Sequence, residues 1–301
     1  LILFQRMVLN IYVWYSHLME KQDVLMQKLK KYFEERDDIL MAFAFGSYVK
    51  GRQTSESDFD IAAYFKPKGK ALEWETTDSY PAEDKIWGDI EKIIGQRTDF
   101  VVMNRAPSTL AYSIIQEGLP IIIKNHAFYL RFFLMISSAA EYFRDFTKDF
   151  WEIKQRSSSL NEIDKDRLIR IVDFLETELK DYNQFAGLDQ IKYQSDVTLK
   201  RNVERWVENI VNSAIDIAKI LLASEKKKIP QTYRETMREL ELLEGFNTET
   251  ASGLADFAKL RNILAHEYLD IRFAQIKKFI QTSEPIYKDL LKFTKDFISK
   301  K

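Results

Sequence analysis

The chain has 301 residues, 46% of them hydrophobic, enough apolar material for one large core or two ordinary ones. Its 45 Lys and Arg against 46 Asp and Glu leave no strong net field and argue against a protein that coats nucleic acid or anionic lipid. The absence of cysteine excludes disulfides and thiolate metal sites and suits a reducing, cytoplasmic compartment, and His17, His126 and His266 are too few for a multi-histidine zinc centre.

Residues 1–18 are apolar and aromatic. They have only a weak basic start and no small-residue cleavage site, so they do not read as a signal peptide. Asn10, Tyr12, Trp14, Tyr15 and Ser16 interrupt the stretch before it reaches the about 20 apolar residues of a membrane span, and no membrane partner is expected. Met19 then opens the polar start of an amphipathic segment. Residues 1–18 are therefore read as an N-terminal extension ahead of Met19, the alternative being an extra helix packed on the surface.

From Met19 to about residue 125 helices and strands alternate. A helix over 20–36 leads into an apolar strand over 40–45, and a second strand follows over 59–65. Lys66-Pro67-Lys68-Gly69-Lys70 and the polar stretch to Pro81 end that pairing. A helix over 82–94 stops at Gly95, a third strand runs over 98–103, a short helix over 109–117 ends at Gly118, and 119–123 is a final strand. Beyond residue 125 strand signals almost vanish, and apolar residues recur at spacings of three and four over 128–156, 162–185, 195–224 and 273–299. The breaks fall at Ser157-Ser158-Ser159, Ala186-Gly187, Ile229-Pro230 and Gly245-Phe246-Asn247. The pattern predicts an α+β chain, with a small mixed-sheet domain over 19–127 followed by an all-α helical bundle over 128–301.

The first site candidate lies between the first two strands. Gly46 permits a tight turn, and amide groups there with the Ser47 hydroxyl suit a triphosphate. Residues at i and i+2 of a strand share a face, so Asp58 and Asp60 are expected to point together. Two such carboxylates repel unless a cation lies between them. Mg²⁺ fits, since it takes hard oxygen ligands and keeps positions open for phosphate. Asp99, early in the third strand, offers a third carboxylate, either as a further ligand or as general base on an attacking hydroxyl. An isolated Asp-x-Asp is ordinarily a solvated loop and an isolated Gly-Ser an ordinary turn. Their joint spacing between two strands is what sets this stretch apart.

Gly46-Ser47, ten residues, then Asp58-Phe59-Asp60, with Gly51 in the loop and Ser57 before the first Asp, resembles the signature of minimal nucleotidyltransferases of the polymerase-beta superfamily. Asp99 stands where that family supplies its third carboxylate. At position 48 many members carry Arg, and this chain has Tyr48. The resemblance covers about residues 19–125. It implies metal-dependent transfer of a nucleoside monophosphate, usually AMP from ATP, to a hydroxyl, with Asp58, Asp60 and Asp99 on the metal and Gly46, Ser47, Gly51 and Ser57 on the nucleotide.

The second candidate is the stretch from Lys259 to Tyr268. At helical spacing, Phe257, Leu260, Ile263 and Leu264 share an arc that should face a core. Asn262 and His266 lie opposite, with Arg261 and Tyr268 at the border. Arg261 suits a phosphate and His266 suits proton exchange near neutral pH, although an isolated Arg and His are ordinarily parts of a solvated face. Arg-x4-His-x-Tyr, with Asn directly after the Arg, resembles the motif of HEPN-domain ribonucleases, over roughly residues 160–300. That resemblance implies a metal-independent RNA-cleaving site made of Arg261, Asn262 and His266 at a homodimer interface. It also implies a toxin–antitoxin pairing in which the nucleotidyltransferase adds AMP to the motif tyrosine, here Tyr268. Residues 150–301 hold 26 Lys plus Arg and 25 Asp plus Glu, so an RNA substrate would have to be held by a local patch. Two other readings are a nucleotidyltransferase acting on a small molecule such as an aminoglycoside, and a non-catalytic nucleotide-binding or dimerising protein.

Overall fold

A computed structural model describes residues 24–49, 58–69, 72–156, 159–264 and 273–301; the extension over residues 1–18 lies outside them. The chain separates into two compact units, Leu1–Ser137 and Ser138–Lys301.

In the first unit, helix α1 (24–34) buries Leu29 and Phe33 completely. Strand β1 (Ile39–Phe45), the one-turn helix α2 (Gly46–Val49), β2 (Phe59–Phe65), α3 (Glu83–Ile94), β3 (Thr98–Val102), α4 (Ser108–Glu117) and β4 (Leu119–Ile123) follow. The four strands form one sheet in the order β3-β2-β1-β4. β1 pairs antiparallel with β2 and β4, and β2 pairs parallel with β3, so the sheet is mixed. Six of the seven residues of β2 are buried, the mark of a strand covered on both faces. Phe59, Ile61, Ala63 and Phe65 join Leu29, Phe33, Ile86 and Ile90 of α1 and α3 in one core. On the other face Tyr64 packs against Phe128 and Phe132, ring centroids 5.2 and 4.8 Å away, at the start of α5 (His126–Arg156).

The end of β2 is closed by a side chain. The buried Asn104 accepts from the Phe65 amide (2.8 Å) and donates to its carbonyl (3.0 Å), standing in for one residue of a neighbouring strand. At the end of α3, Gly95 adopts a left-handed φ of 78° and its amide returns to the Glu91 carbonyl at 2.7 Å, which stops the helix before β3 begins.

The second unit is helical throughout its described residues. It comprises the rest of α5, α6 (Glu162–Leu179), α7 (Tyr182–Phe185), α8 (Gln190–Ser195), α9 (Val197–Ser224), α10 (Tyr233–Arg238) with the 3-10 turn Glu239–Leu242, α11 (Thr248–Leu264), α12 (Phe273–Thr282) and α13 (Glu284–Lys300). Side-chain caps set several starts: Asn161, Asp189, Asp196 and Thr232 each accept an amide of the first turn. α9 is the central helix, apolar almost all round, with every residue from Ala214 to Ser224 except Asp216 buried. Trp206 of α9 packs edge-on to Tyr182 and Phe279 and donates to the Glu178 carbonyl at 2.8 Å.

Two continuous stretches read from periodicity are each broken. The helix expected over 162–185 is α6 and α7, and the one over 273–299 is α12 and α13, parted at the fully buried Ser283. The Ser283 hydroxyl bonds both the Phe279 carbonyl and the Tyr182 hydroxyl, each at 2.6 Å, and Pro285 sits in the first turn of α13, where its missing amide costs nothing.

Candidate functional site

The first site is built by the β1–α2 turn and the start of β2. Gly46 has φ 70°, a left-handed conformation that glycine adopts without strain. A Cβ there would collide with Oδ2 of Asp60, so the turn lies directly against this carboxylate. The Ser47 amide donates to it. In the parallel ladder Asp60 is the register partner of Asp99, and neighbouring strands lie only about 4.8 Å apart, so the two acids stand side by side on adjacent strands.

β2 begins at Phe59, as expected, and Asp58 is an exposed residue one step before it. Burial pushes the Asp60 carboxyl above its ordinary value, the charge of Asp99 raises it further, the Ser47 amide opposes the rise, and Asp58 adds a smaller push. These acids therefore repel one another, and among the described residues no basic group offsets them at Asp60. Among the described residues no three His, Cys, Asp or Glu groups converge into a ready-made metal cage. The donor chemistry of Asp58, Asp60 and Asp99, hard oxygens carrying excess negative charge, nevertheless suits a divalent cation arriving with phosphate.

Tyr48 packs into the core. Its ring is buried and tilted against Phe59 at 4.2 Å between centroids, so this position serves the core rather than presenting a cation. Gly51 and Ser57 lie outside the described residues.

In the second unit, Phe257, Leu260 and Leu264 of α11 are buried and Ile263 is intermediate, which is the core-facing arc expected from the sequence. Arg261 lies at its border. Its guanidinium carbon is 4.5 Å from the ring centroid of Tyr142 and 4.9 Å from that of Tyr233, and its Nη1 is buried with no hydrogen-bond partner among the described residues. Neither tyrosine is legible as a site residue, because helical packing alone joins α5, α10 and α11 here. The side chain of Asn262, and His266 and Tyr268 entirely, lie outside the described residues.

Residues 27–127 match the family model described as polymerase beta, nucleotidyltransferase, and residues 175–294 match that described as ribonuclease HepT-like. The chain joins a nucleotidyltransferase domain to a HepT-like domain. Gly46, Ser47, Asp58, Asp60 and Asp99 fall within the nucleotidyltransferase match, and Arg261 falls within the HepT-like one. A protein adenylyltransferase, MntA, of Thermococcus cleftensis is 26% identical over 99 residues, which are 33% of this chain and 91% of that protein. Among the described residues no helix is long and apolar enough to cross a membrane.

Proposed function

We propose that the nucleotidyltransferase domain transfers AMP from ATP to the hydroxyl of Tyr268 in the HepT-like domain of its own chain type, and so restrains a ribonuclease in a toxin–antitoxin arrangement. The observation that carries this reading is the in-register pair Asp60 and Asp99 beside the Gly46-Ser47 turn, whose amide is aimed at Asp60. The adenylyltransferase named among the relatives supports AMP as the transferred group.

In this reading the Gly46 backbone and the Ser47 hydroxyl, with Gly51 and Ser57, hold the triphosphate. Asp58, Asp60 and Asp99 hold Mg²⁺, which when bound supplies positive charge against the triphosphate and the departing pyrophosphate. The acceptor oxygen bonds to the α-phosphorus, the bond from that phosphorus to the β-phosphate bridge breaks, and pyrophosphate leaves. Where Asp99 is not itself a metal ligand, it takes the acceptor's proton as general base. In the HepT-like domain Arg261, Asn262 and His266 form the RNA-cleaving set of a homodimer, with the RNA's own 2′-hydroxyl as nucleophile and no metal. A cytoplasmic location belongs to the same proposal, since it supplies both ATP and RNA.

The test is incubation of purified protein with Mg²⁺ and ATP labelled at the α-phosphate. Protein-bound label is expected in the wild type and absent in Asp60→Asn and in Tyr268→Phe. Label that survives Tyr268→Phe removes that acceptor, and label found only on an added aminoglycoside replaces the reading with small-molecule modification. RNA cleavage by the unmodified protein is expected to vanish in His266→Ala.

A further inference from the structure

Several arginines in this protein are neutralised by acids. Arg36 is bonded to Asp38, Arg105 to Glu83, Arg156 to Asp164 and Arg167 to Asp149, all at 3.1 Å or less. Arg261 is held differently. It stands between two tyrosine rings, and no carboxylate among the described residues pairs with it.

The two rings are unequal. Tyr233 of α10 is 4% exposed and is itself locked by edge-on contacts with Phe143 and Phe146, at 5.1 and 5.4 Å between centroids. Tyr142 of α5 is 47% exposed and forms the outer wall. A ring face attracts a cation through its quadrupole without cancelling the charge. A planar guanidinium stacks on such faces as an ammonium does not. Two rings therefore fix the orientation of Arg261 while leaving its charge available, which a carboxylate partner would not do. The ordering cost of a long side chain is met in the folded protein before any ligand arrives.

We infer that Tyr142 and Tyr233 are positioning residues that clamp the Arg261 guanidinium as a fixed cation, paired with no carboxylate among the described residues, for a phosphate of the RNA backbone. The inference rests on the ribonuclease reading for the identity of the ligand. The geometry of the clamp is independent of that reading.

The probe is a fluorescein-labelled single-stranded RNA with 2′-O-methyl sugars, which cannot be cleaved through its own hydroxyl, titrated against the full chain. Tyr142 is half-exposed, so its substitution leaves the core intact. Tyr142→Leu and Arg261→Gln are each expected to weaken binding about tenfold, and Tyr142→Phe, which keeps the ring, to stay within about twofold of the wild type. The double variant Tyr142→Leu/Arg261→Gln is expected to bind no more weakly than Arg261→Gln alone, because the tyrosine acts only through the arginine. Additive losses, unchanged binding in Tyr142→Leu, or a wild type that binds no RNA each overturn the clamp. If binding follows the expected pattern while unmodified RNA is not cleaved, the clamp stands and the nuclease reading fails. Should Tyr142→Leu lower the melting temperature, NMR of arginine-labelled wild type decides. Ring-current-shifted δ-methylene signals, assigned to Arg261 by their loss in Arg261→Gln, are expected, and unshifted signals overturn the clamp.

Discussion

Asp60 in the first unit and Asp149 in the second are both partly buried carboxylates, and their surroundings drive them in opposite directions. Burial alone would raise Asp149, yet two hydrogen bonds from Arg167 (3.0 and 2.7 Å) and the nearly buried Lys219 at 2.8 Å hold it down at about 2. Asp60 is raised by burial and then by Asp99, with the Ser47 amide opposing. The first arrangement closes its charges within the fold. The second leaves negative charge that no basic group among the described residues offsets.

The largest expected effect sharpens this contrast. Asp60→Asn should lower AMP transfer by about a thousandfold or more, measured as initial rate with labelled ATP, while the melting temperature stays level or rises because a repulsion is removed. A clear fall in melting temperature would instead make Asp60 a structural acid like Asp149. Next, Asp149→Ala should cost about 2–4 kcal/mol in urea denaturation, since it strips Arg167 of its bonded acid and Lys219 of one of two. Lys219 keeps Asp216 at 2.7 Å, which limits the loss. Gly46→Ala should cost about 1–3 kcal/mol from its left-handed backbone and its collision with Asp60, and should lower transfer as well.

A smaller effect follows from pH. The folded value of Asp149, about 2, lies below its ordinary 3.8. Its contribution is therefore complete above about pH 4 and is lost as pH falls through about 2. After discounting for partial solvent screening this is about 1–2 kcal/mol, and Asp149→Asn should flatten that part of the stability–pH curve. The smallest effect belongs to an exposed pair. Lys30 and Glu34 lie 3.8 Å apart with side chains 60% and 52% exposed, and Lys30→Ala should change stability by less than about 0.5 kcal/mol.

Much of the first unit was legible because its elements are bounded by punctuating residues. Gly95 and Gly118 mark helix ends there, and the apolar run over 59–65 is β2. The order of the strands was not, since which strand lies beside β2 is settled by packing across the sheet, and that order is what brings Asp99 to Asp60. The breaks within 162–185 and 273–299 were hidden because apolar periodicity continues through them. Pro285 was the one local signal for the second. The tyrosines around Arg261 carry no motif at all, because their role comes from three helices that meet only in the folded chain.

The pairing of Asp60 with Asp99 across β2 and β3 also determines which kinds of genetic change the site tolerates. Its spacing is set by backbone hydrogen bonds, so exchanging the apolar neighbours Phe59, Ile61 or Phe100 for other residues of similar size leaves the acids where they are. One residue inserted within β3 ahead of Asp99 would turn its carboxylate to the opposite face of the sheet. Frame-preserving insertions and deletions in these two strands, more than conservative point substitutions beside the acids, are the lesions that would separate this pair at a stroke.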